Sequence, residues 1–140
     1  MKTLYTAEAL ATGAGRDGHV RSTDGYVDLD LAKPEGMGGP GGAANPEVLF
    51  AAGYAACFHS AVQAVARKAG ADLGDSTVGA KVSIGPNDAG GFELQVTLEV
   101  VIPGLAHAEA EKLVEQAHQV CPYSNATRGN IEVNLSVSDD

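Results

Sequence analysis

The sequence has few positive charges. It contains nine Lys and Arg against 18 Asp and Glu, which gives a formal net charge of −9 and an isoelectric point near 4.7. Proteins that bind nucleic acid or anionic membranes need clustered Lys and Arg on one surface. This composition therefore argues against both as partners, and it makes each basic residue near a candidate site more informative.

Several familiar cofactor and metal motifs are also missing. Residues 35–44 are rich in glycine but lack the Lys-Ser/Thr ending of a phosphate-binding loop. We interpret this segment as a flexible connection before a helix. His118 and Cys121 are three residues apart, but with no CxxC or HExxH elsewhere they are too few for zinc. We therefore predict neither a cofactor nor a metal.

Cysteine is scarce, and there are only two in the chain. Residues 1–10 contain no apolar core of a secretory signal, so we expect a cytoplasmic protein. In that reducing compartment, a structural disulfide is disfavoured. The two cysteines are then either reactive thiols or small buried residues.

Patterning of the remaining residues predicts one α+β domain covering residues 1–140. A chain of this size buries only about two-thirds of its unfolded surface, so a dimer is plausible. Antiparallel sheets are expected to pack on two buried helices. The predicted strands are residues 4–12, 18–23, 26–31, 77–84, 92–102 and 131–137, the helices are 45–69 and 106–120, and a turn covers 122–129.

The first helix has a clear start and an apolar body. Asn45 is a good N-cap, Pro46 suits the first helical position, and Glu47 places an acid in the first turn. No charge follows until Arg67, a length that fits a membrane span. Its alanines and scattered polar residues favour a central helix that is buried on nearly all sides instead.

Cys57 lies in the middle of this helix, where a free cysteine is commonly inert. The helix N-terminus at Asn45 is 12 residues away, about 18 Å, so its dipole cannot activate the thiol. A nucleophilic Cys57 therefore needs a cation from elsewhere. Arg16, in a glycine-rich loop, ranks only slightly above Arg21 and Arg128.

Cys121 precedes Pro122 at the end of the second helix, where a thiol has room to move. Two unrelated thiols need not be neighbours, so their proximity in space is the test of a redox pair. His59 lies about 200° around the helix from Cys57 and cannot serve as its base. His118 is expected on a solvated helix face.

Two long motifs resemble the signatures of the organic hydroperoxide resistance proteins, a branch of the OsmC-like superfamily. They are NPEVLFAAGYAACF over residues 45–58 and HQVCPYSNATRGN over residues 118–130. Residues 4–6 and 15–18 are similar to the N-terminal part of the family, so the resemblance covers essentially the whole chain. One small departure is Val48, where the family often has Gln.

The resemblance implies an OsmC-like fold in an intertwined homodimer. It also implies that Cys57 is the peroxidatic cysteine, that Cys121 is the resolving cysteine, and that Arg16 and Glu47 organise the site. The implied substrates are alkyl and fatty-acid hydroperoxides, and the implied reductant is a dithiol, the dihydrolipoyl group of lipoylated proteins. The implied function is cysteine-based reduction of organic hydroperoxides in the response to oxidative stress.

Leu49, Phe50 and Phe58 are candidates for an apolar pocket that favours an alkyl chain, although plain core packing explains each equally well. Glu47 precedes Cys57 by ten residues, about 15 Å along one helix. We therefore expect each site to take Glu47 from the partner chain.

Two alternatives remain open. The first is a non-catalytic dimer of the same fold that binds an apolar ligand, with incidental thiols. The second is a redox sensor that uses the same pair of thiols for signalling.

Overall fold

The computed structural model describes residues 1–139. The chain divides into two compact units, Met1–Leu49 and a larger unit from Phe50 onward. Helices and strands occur in both units, as the α+β prediction requires. The prediction of one domain over residues 1–140 stays a prediction.

The first unit contains a three-stranded antiparallel sheet of β1 (Ala9–Thr12), β2 (His19–Ser22) and β3 (Asp28–Asp30), in that order. The predicted first strand, residues 4–12, was too long by five residues. The Asp24-Gly25 hairpin is confirmed: Asp24 Oδ1 accepts hydrogen bonds from the Ser22 hydroxyl at 2.6 Å and the Tyr26 amide at 3.0 Å. Gly25 has φ 78°, which glycine adopts without strain.

A single 3₁₀ turn, Gly15–Asp17, joins β1 to β2 and carries Arg16. Gly18 closes the turn so tightly that a Cβ there would collide with the carbonyl oxygen of Thr12. Asp17 Oδ1 accepts a hydrogen bond from the Lys33 amide at 3.0 Å, which ties the turn to the segment after β3. The backbone that carries Arg16 is therefore held on two sides.

Helix α1 is Pro46–Lys68. Its predicted cap is confirmed, because Asn45 Oδ1 accepts a hydrogen bond from the Val48 amide at 2.9 Å. The side chains buried within the chain form one stripe: Tyr54, Phe58, Ala61, Val62 and Ala66.

The expected burial of α1 on nearly all sides is therefore not seen within one chain, and Val48 is 54% exposed. Among the described residues, α1 is the one helix long and apolar enough to cross a membrane, a property that core helices share. The apolar side of α1 that includes Val48 is therefore not buried by other described residues of its own chain.

The second unit contains a three-stranded sheet of β4 (Thr77–Pro86), β5 (Phe92–Val101) and β6 (Val133–Ser138). β4 and β5 form the predicted antiparallel hairpin, whereas β6 pairs parallel to β5. Two helices, α2 (His107–Val120) and α3 (Pro122–Thr127), connect β5 to β6. A parallel pair needs such a crossover connection, and α2 and α3 supply it. α3 occupies the segment that was predicted as a turn.

The core of the second unit lies between the sheet and the helices α1 and α2. Val96, Leu98 and Val100 alternate inward from β5, as predicted, and are at most 1% exposed. Phe58 and Val62 of α1 are fully buried in the same cluster. Each such side chain contributes about 1.5–3 kcal/mol through burial. This packing fixes the rotation of α1, and with it the direction of Cys57.

Candidate active site

The structure brings the two cysteines together. Cys57 of α1 and Cys121 at the end of α2 are free thiols with their sulfur atoms 3.5 Å apart, although they are 64 residues apart in sequence. Cys121 has no exposed surface and donates its S–H to Cys57, which is half-buried. The proximity expected of a redox pair is therefore present.

Cys121 occupies a fixed corner between two helices. Its amide donates to the carbonyl of Ala117 in the last turn of α2, and its carbonyl accepts from the Asn125 amide in α3, both at 2.9 Å. Its backbone is extended, with φ −65° and ψ 126°, a conformation that the following Pro122 favours. The resolving candidate is thus held by backbone bonds on both sides.

The surroundings of Cys57 within its own unit oppose ionisation. Burial raises the pKa of the Cys57 thiol, the neighbouring Cys121 raises it further, and a hydrogen bond from the backbone amide of Tyr123 to the sulfur opposes them. Because the first effect is the largest, the pKa lies above its ordinary value. A reactive thiolate therefore requires a positive group in addition to these.

Arg16 and Glu47 form a bidentate ion pair in the first unit. Arg16 Nη1 donates to Glu47 Oε2 at 2.8 Å, and Nη2 donates to Oε1 at 2.6 Å. The Arg16 side chain is 32% exposed and that of Glu47 is 13% exposed. The hydrogen bonds from Arg16 lower the pKa of Glu47, so the carboxylate stays ionised at neutral pH. The guanidinium keeps further N–H donors for a third group.

The two other candidate cations have different partners. Arg21 projects from β2 with its side chain 67% exposed, 3.9 Å from the Asp28 carboxylate. Arg128 Nη1 donates to the backbone carbonyl of His118 at 2.8 Å and so caps the C-terminus of α2. Among the described residues, Arg16 is the arginine held in a two-point carboxylate clamp.

A buried group of polar side chains lies behind Cys121, and sequence reasoning missed it. The Tyr54 hydroxyl is 2.8 Å from Ser124 Oγ and 3.0 Å from Thr127 Oγ1, and all three residues are at most 5% exposed. His118 Nδ1 is 2.8 Å from Ser124 Oγ. His118 was expected to be solvated and is instead half-buried, because α3 folds back over the end of α2. The sequence feature that could have predicted this buried group is the set of hydroxyl-bearing residues in the second motif.

A groove of about 700 Å³ borders Cys57 and is lined mainly by alanine and valine side chains, with Ser60 and Lys68 of α1 as its polar members. The residues suggested for an apolar pocket lie elsewhere. Phe58 is fully buried in the core, Phe50 packs against the core, and Leu49 is half-buried in the first unit. Their role in substrate binding stays a prediction.

Comparison with known proteins identifies the family. The OsmC-like protein family matches residues 39–136. An organic hydroperoxide resistance protein of Xanthomonas axonopodis pv. citri is 51% identical over 139 residues, which is 98% of this chain and 96% of that protein.

Two solved structures give the same result. A crystal structure of an organic hydroperoxide resistance protein from Elizabethkingia anophelis is 56% identical, covers both chains completely and superposes with a TM-score of 0.95. The organic hydroperoxide resistance protein OhrB of Bacillus subtilis is 43% identical, with 96% of this chain and 99% of that chain covered and a TM-score of 0.88. The chain belongs to the organic hydroperoxide resistance branch of the OsmC-like protein family.

Proposed function

We propose that this protein is a thiol peroxidase that reduces organic hydroperoxides, with Cys57 as the attacking group and Cys121 as the resolving group. The observation that carries the proposal is the 3.5 Å approach of the two free sulfurs. Relatives named for resistance to organic hydroperoxides support the choice of substrate. A role in the response to oxidative stress follows.

In the first step, the Cys57 thiolate attacks the terminal oxygen of the hydroperoxide. The O–O bond breaks, the sulfur is oxidised to a sulfenic acid, and the leaving alkoxide takes up a proton to become the alcohol. A guanidinium beside the reacting oxygens stabilises both the thiolate and the developing alkoxide. Arg16 is the candidate for this role, and Glu47 holds its fork in place through two hydrogen bonds.

The Arg16–Glu47 pair is proposed to come from a second copy of the chain. Glu47 and Cys57 are ten residues apart on the continuous helix α1, about 15 Å along its axis. The apolar face of α1 that its own chain leaves exposed supplies a surface for a homodimer. Packing two α1 helices antiparallel would place Glu47 of each copy near Cys57 of the other.

In the second step, the Cys121 sulfur attacks the Cys57 sulfenic acid, a disulfide forms and water leaves. An external dithiol then reduces the disulfide by exchange, becomes oxidised itself and restores both thiols. Dihydrolipoyl groups of lipoylated proteins are the proposed dithiol. A cytoplasmic location, where thiols stay reduced, suits this cycle.

The groove beside Cys57 lies on the same face of α1 as the proposed homodimer surface, so a second copy would close part of it into a pocket beside the sulfur. The alanine and valine walls of this pocket would offer an alkyl or fatty-acid chain a surface to bury, and would offer hydrogen peroxide little. We therefore propose a preference for organic hydroperoxides over hydrogen peroxide. Leu49, Phe50 and Phe58 do not line this groove, so their predicted role in binding an alkyl chain is separate from it.

A single-equivalent reaction with cumene hydroperoxide tests the proposal. The reduced protein should lose about two mass units and both free thiols as the disulfide forms. Addition of excess dihydrolipoamide together with excess peroxide should then give continuous turnover, faster with cumene hydroperoxide than with hydrogen peroxide. Cys57→Ser should abolish turnover.

A protein that only binds an apolar ligand would keep its mass and both thiols. That result would refute the peroxidase proposal. A redox sensor would form the disulfide but would not sustain turnover with the dithiol.

A further inference from the structure

Four polar side chains form a continuous series of hydrogen bonds, a hydrogen-bonded chain in which the donor of each bond can be assigned. The Thr127 hydroxyl donates to the Ser124 carbonyl at 3.3 Å, so Thr127 can only accept from the Tyr54 hydroxyl. Tyr54 has then used its one proton, so it accepts from Ser124. Ser124 in turn accepts from His118 Nδ1–H. Each hydroxyl donates once and accepts once, so the arrangement is fully satisfied.

This hydrogen-bonded chain joins all three helices of the second unit. Tyr54 belongs to α1, His118 to the last turn of α2, and Ser124 and Thr127 to α3. Burial, with a smaller effect of Arg128, lowers the pKa of His118, which is therefore neutral at physiological pH. The members at α1 and α3 have almost no exposure, so water cannot replace a lost partner.

A tight packing contact fixes the same region from a second direction. The ring of Tyr123 lies on Gly53 of α1, where a Cβ would come 2.9 Å from the Tyr123 hydroxyl. The ring also lies 5.7 Å from the Tyr54 ring. Glycine at position 53 thus lets the first turn of α3 pack closely on α1.

We propose that Tyr54, Ser124, Thr127 and His118 are positioning residues for the disulfide step, because they lock the first turn of α3 onto α1 and hold Cys121 at Cys57. Their side-chain hydrogen bonds go to one another and to the Ser124 carbonyl, not to the reacting sulfurs. The inference rests on the proposed function and deepens it. Bond formation requires the sulfurs to close from 3.5 Å to about 2.05 Å, so small displacements of the Cys121 corner change its rate.

The test separates the two chemical steps. Sulfenic acid formation is followed in the presence of a trapping reagent, dimedone, and disulfide formation is followed as loss of the second thiol. Tyr54→Phe should slow disulfide formation by about tenfold, since it removes two buried hydrogen bonds. It should leave the rate of sulfenic acid formation within about twofold of that of the unmodified protein, whereas a general loss of folding would slow both steps. Tyr26→Phe removes an exposed hydroxyl and is the matched control.

A pair of variants at one position distinguishes loss of a hydroxyl group from a general folding defect. Thr127→Val keeps the shape of the side chain and loses the hydroxyl, whereas Thr127→Ser keeps the hydroxyl and loses a methyl group. We expect Thr127→Val to slow the disulfide step and Thr127→Ser to retain it. The inference would be overturned if Thr127→Val and Thr127→Ser formed the disulfide at equal rates. It would also be overturned if Tyr54→Phe formed the disulfide as fast as the unmodified protein.

A second oxidant makes the test independent of peroxide chemistry. Diamide removes two electrons and two protons from a pair of thiols and leaves a disulfide. Tyr54→Phe and Thr127→Val should also slow Cys57–Cys121 bond formation with diamide. If the unmodified protein does not react with cumene hydroperoxide, but both variants form the disulfide more slowly than the unmodified protein with diamide, the proposed peroxidase fails and the positioning role stands. If the variants form the disulfide as fast as the unmodified protein with both oxidants, the positioning role fails.

Discussion

Oxidation of the Cys57–Cys121 pair should stabilise the folded protein. The disulfide would close a loop whose ends are 64 residues apart, and the loss of chain entropy from the unfolded state is worth about 4 kcal/mol for such a loop. For a chain of 140 residues, this corresponds to a rise in unfolding temperature of about 12 °C. The figure is an upper bound, because any distortion that brings the sulfurs together subtracts from it.

Scanning calorimetry of reduced and cumene hydroperoxide-treated protein measures this rise. Protein concentration must be equal in the two samples, since the unfolding temperature of a dimer depends on it. Cys121→Ser, which can be oxidised but not cross-linked, is the control. The reasoning is refuted if the treated protein unfolds at the temperature of the reduced form, or if Cys121→Ser gains the same increment.

Three further results are expected. Arg16→Ala should raise the pKa of Cys57, because it removes the positive charge proposed to stabilise the thiolate. The shift should be seen in the pH dependence of iodoacetamide alkylation, whereas the exposed control Arg21→Ala should not show it; equal profiles would mean that another group supplies the charge. Cys121→Ser should release one equivalent of alcohol and then stop with a dimedone-reactive Cys57; steady turnover without a second thiol would remove Cys121 from the cycle. Glu47 has a pKa depressed below 4.5, so its ion pair stabilises the protein above that pH and the benefit is lost as pH falls through the depressed value. Glu47→Gln should therefore cost about 1 kcal/mol in urea unfolding at neutral pH, and this cost should shrink as the pH falls below 4.5; a constant difference over this range would contradict the assignment.

Much of the fold was predictable from local patterns. The alternation of Val96, Leu98 and Val100 fixed the inward face of β5, and the Asn45 cap fixed the start of α1. The direction of β6 was not predictable, because strand pairing depends on how the intervening helices cross the sheet. The first strand was overestimated because its Thr and Ala residues carry no strong alternation.

The candidate site was likewise predictable from the sequence only in part. The motif resemblance predicted Cys57 and Cys121 as a redox pair, and the structure supplied the contact between their sulfurs, while their catalytic roles stay a prediction. The buried bonds of Tyr54 and Ser124 were not predictable, since a hydroxyl reveals its partner only when two helices pack. For His118, helical periodicity placed it on the polar face, and only the return of α3 buries it.

The unequal exposure of the two sulfurs bears on the proposed cycle. Cys121 is completely enclosed, whereas the groove leaves part of Cys57 open. If the two sulfurs form the proposed disulfide, an incoming dithiol would attack it at the Cys57 sulfur, with Cys121 as the leaving thiolate. The proposed peroxide and the reductant would then compete for the same entrance beside Cys57.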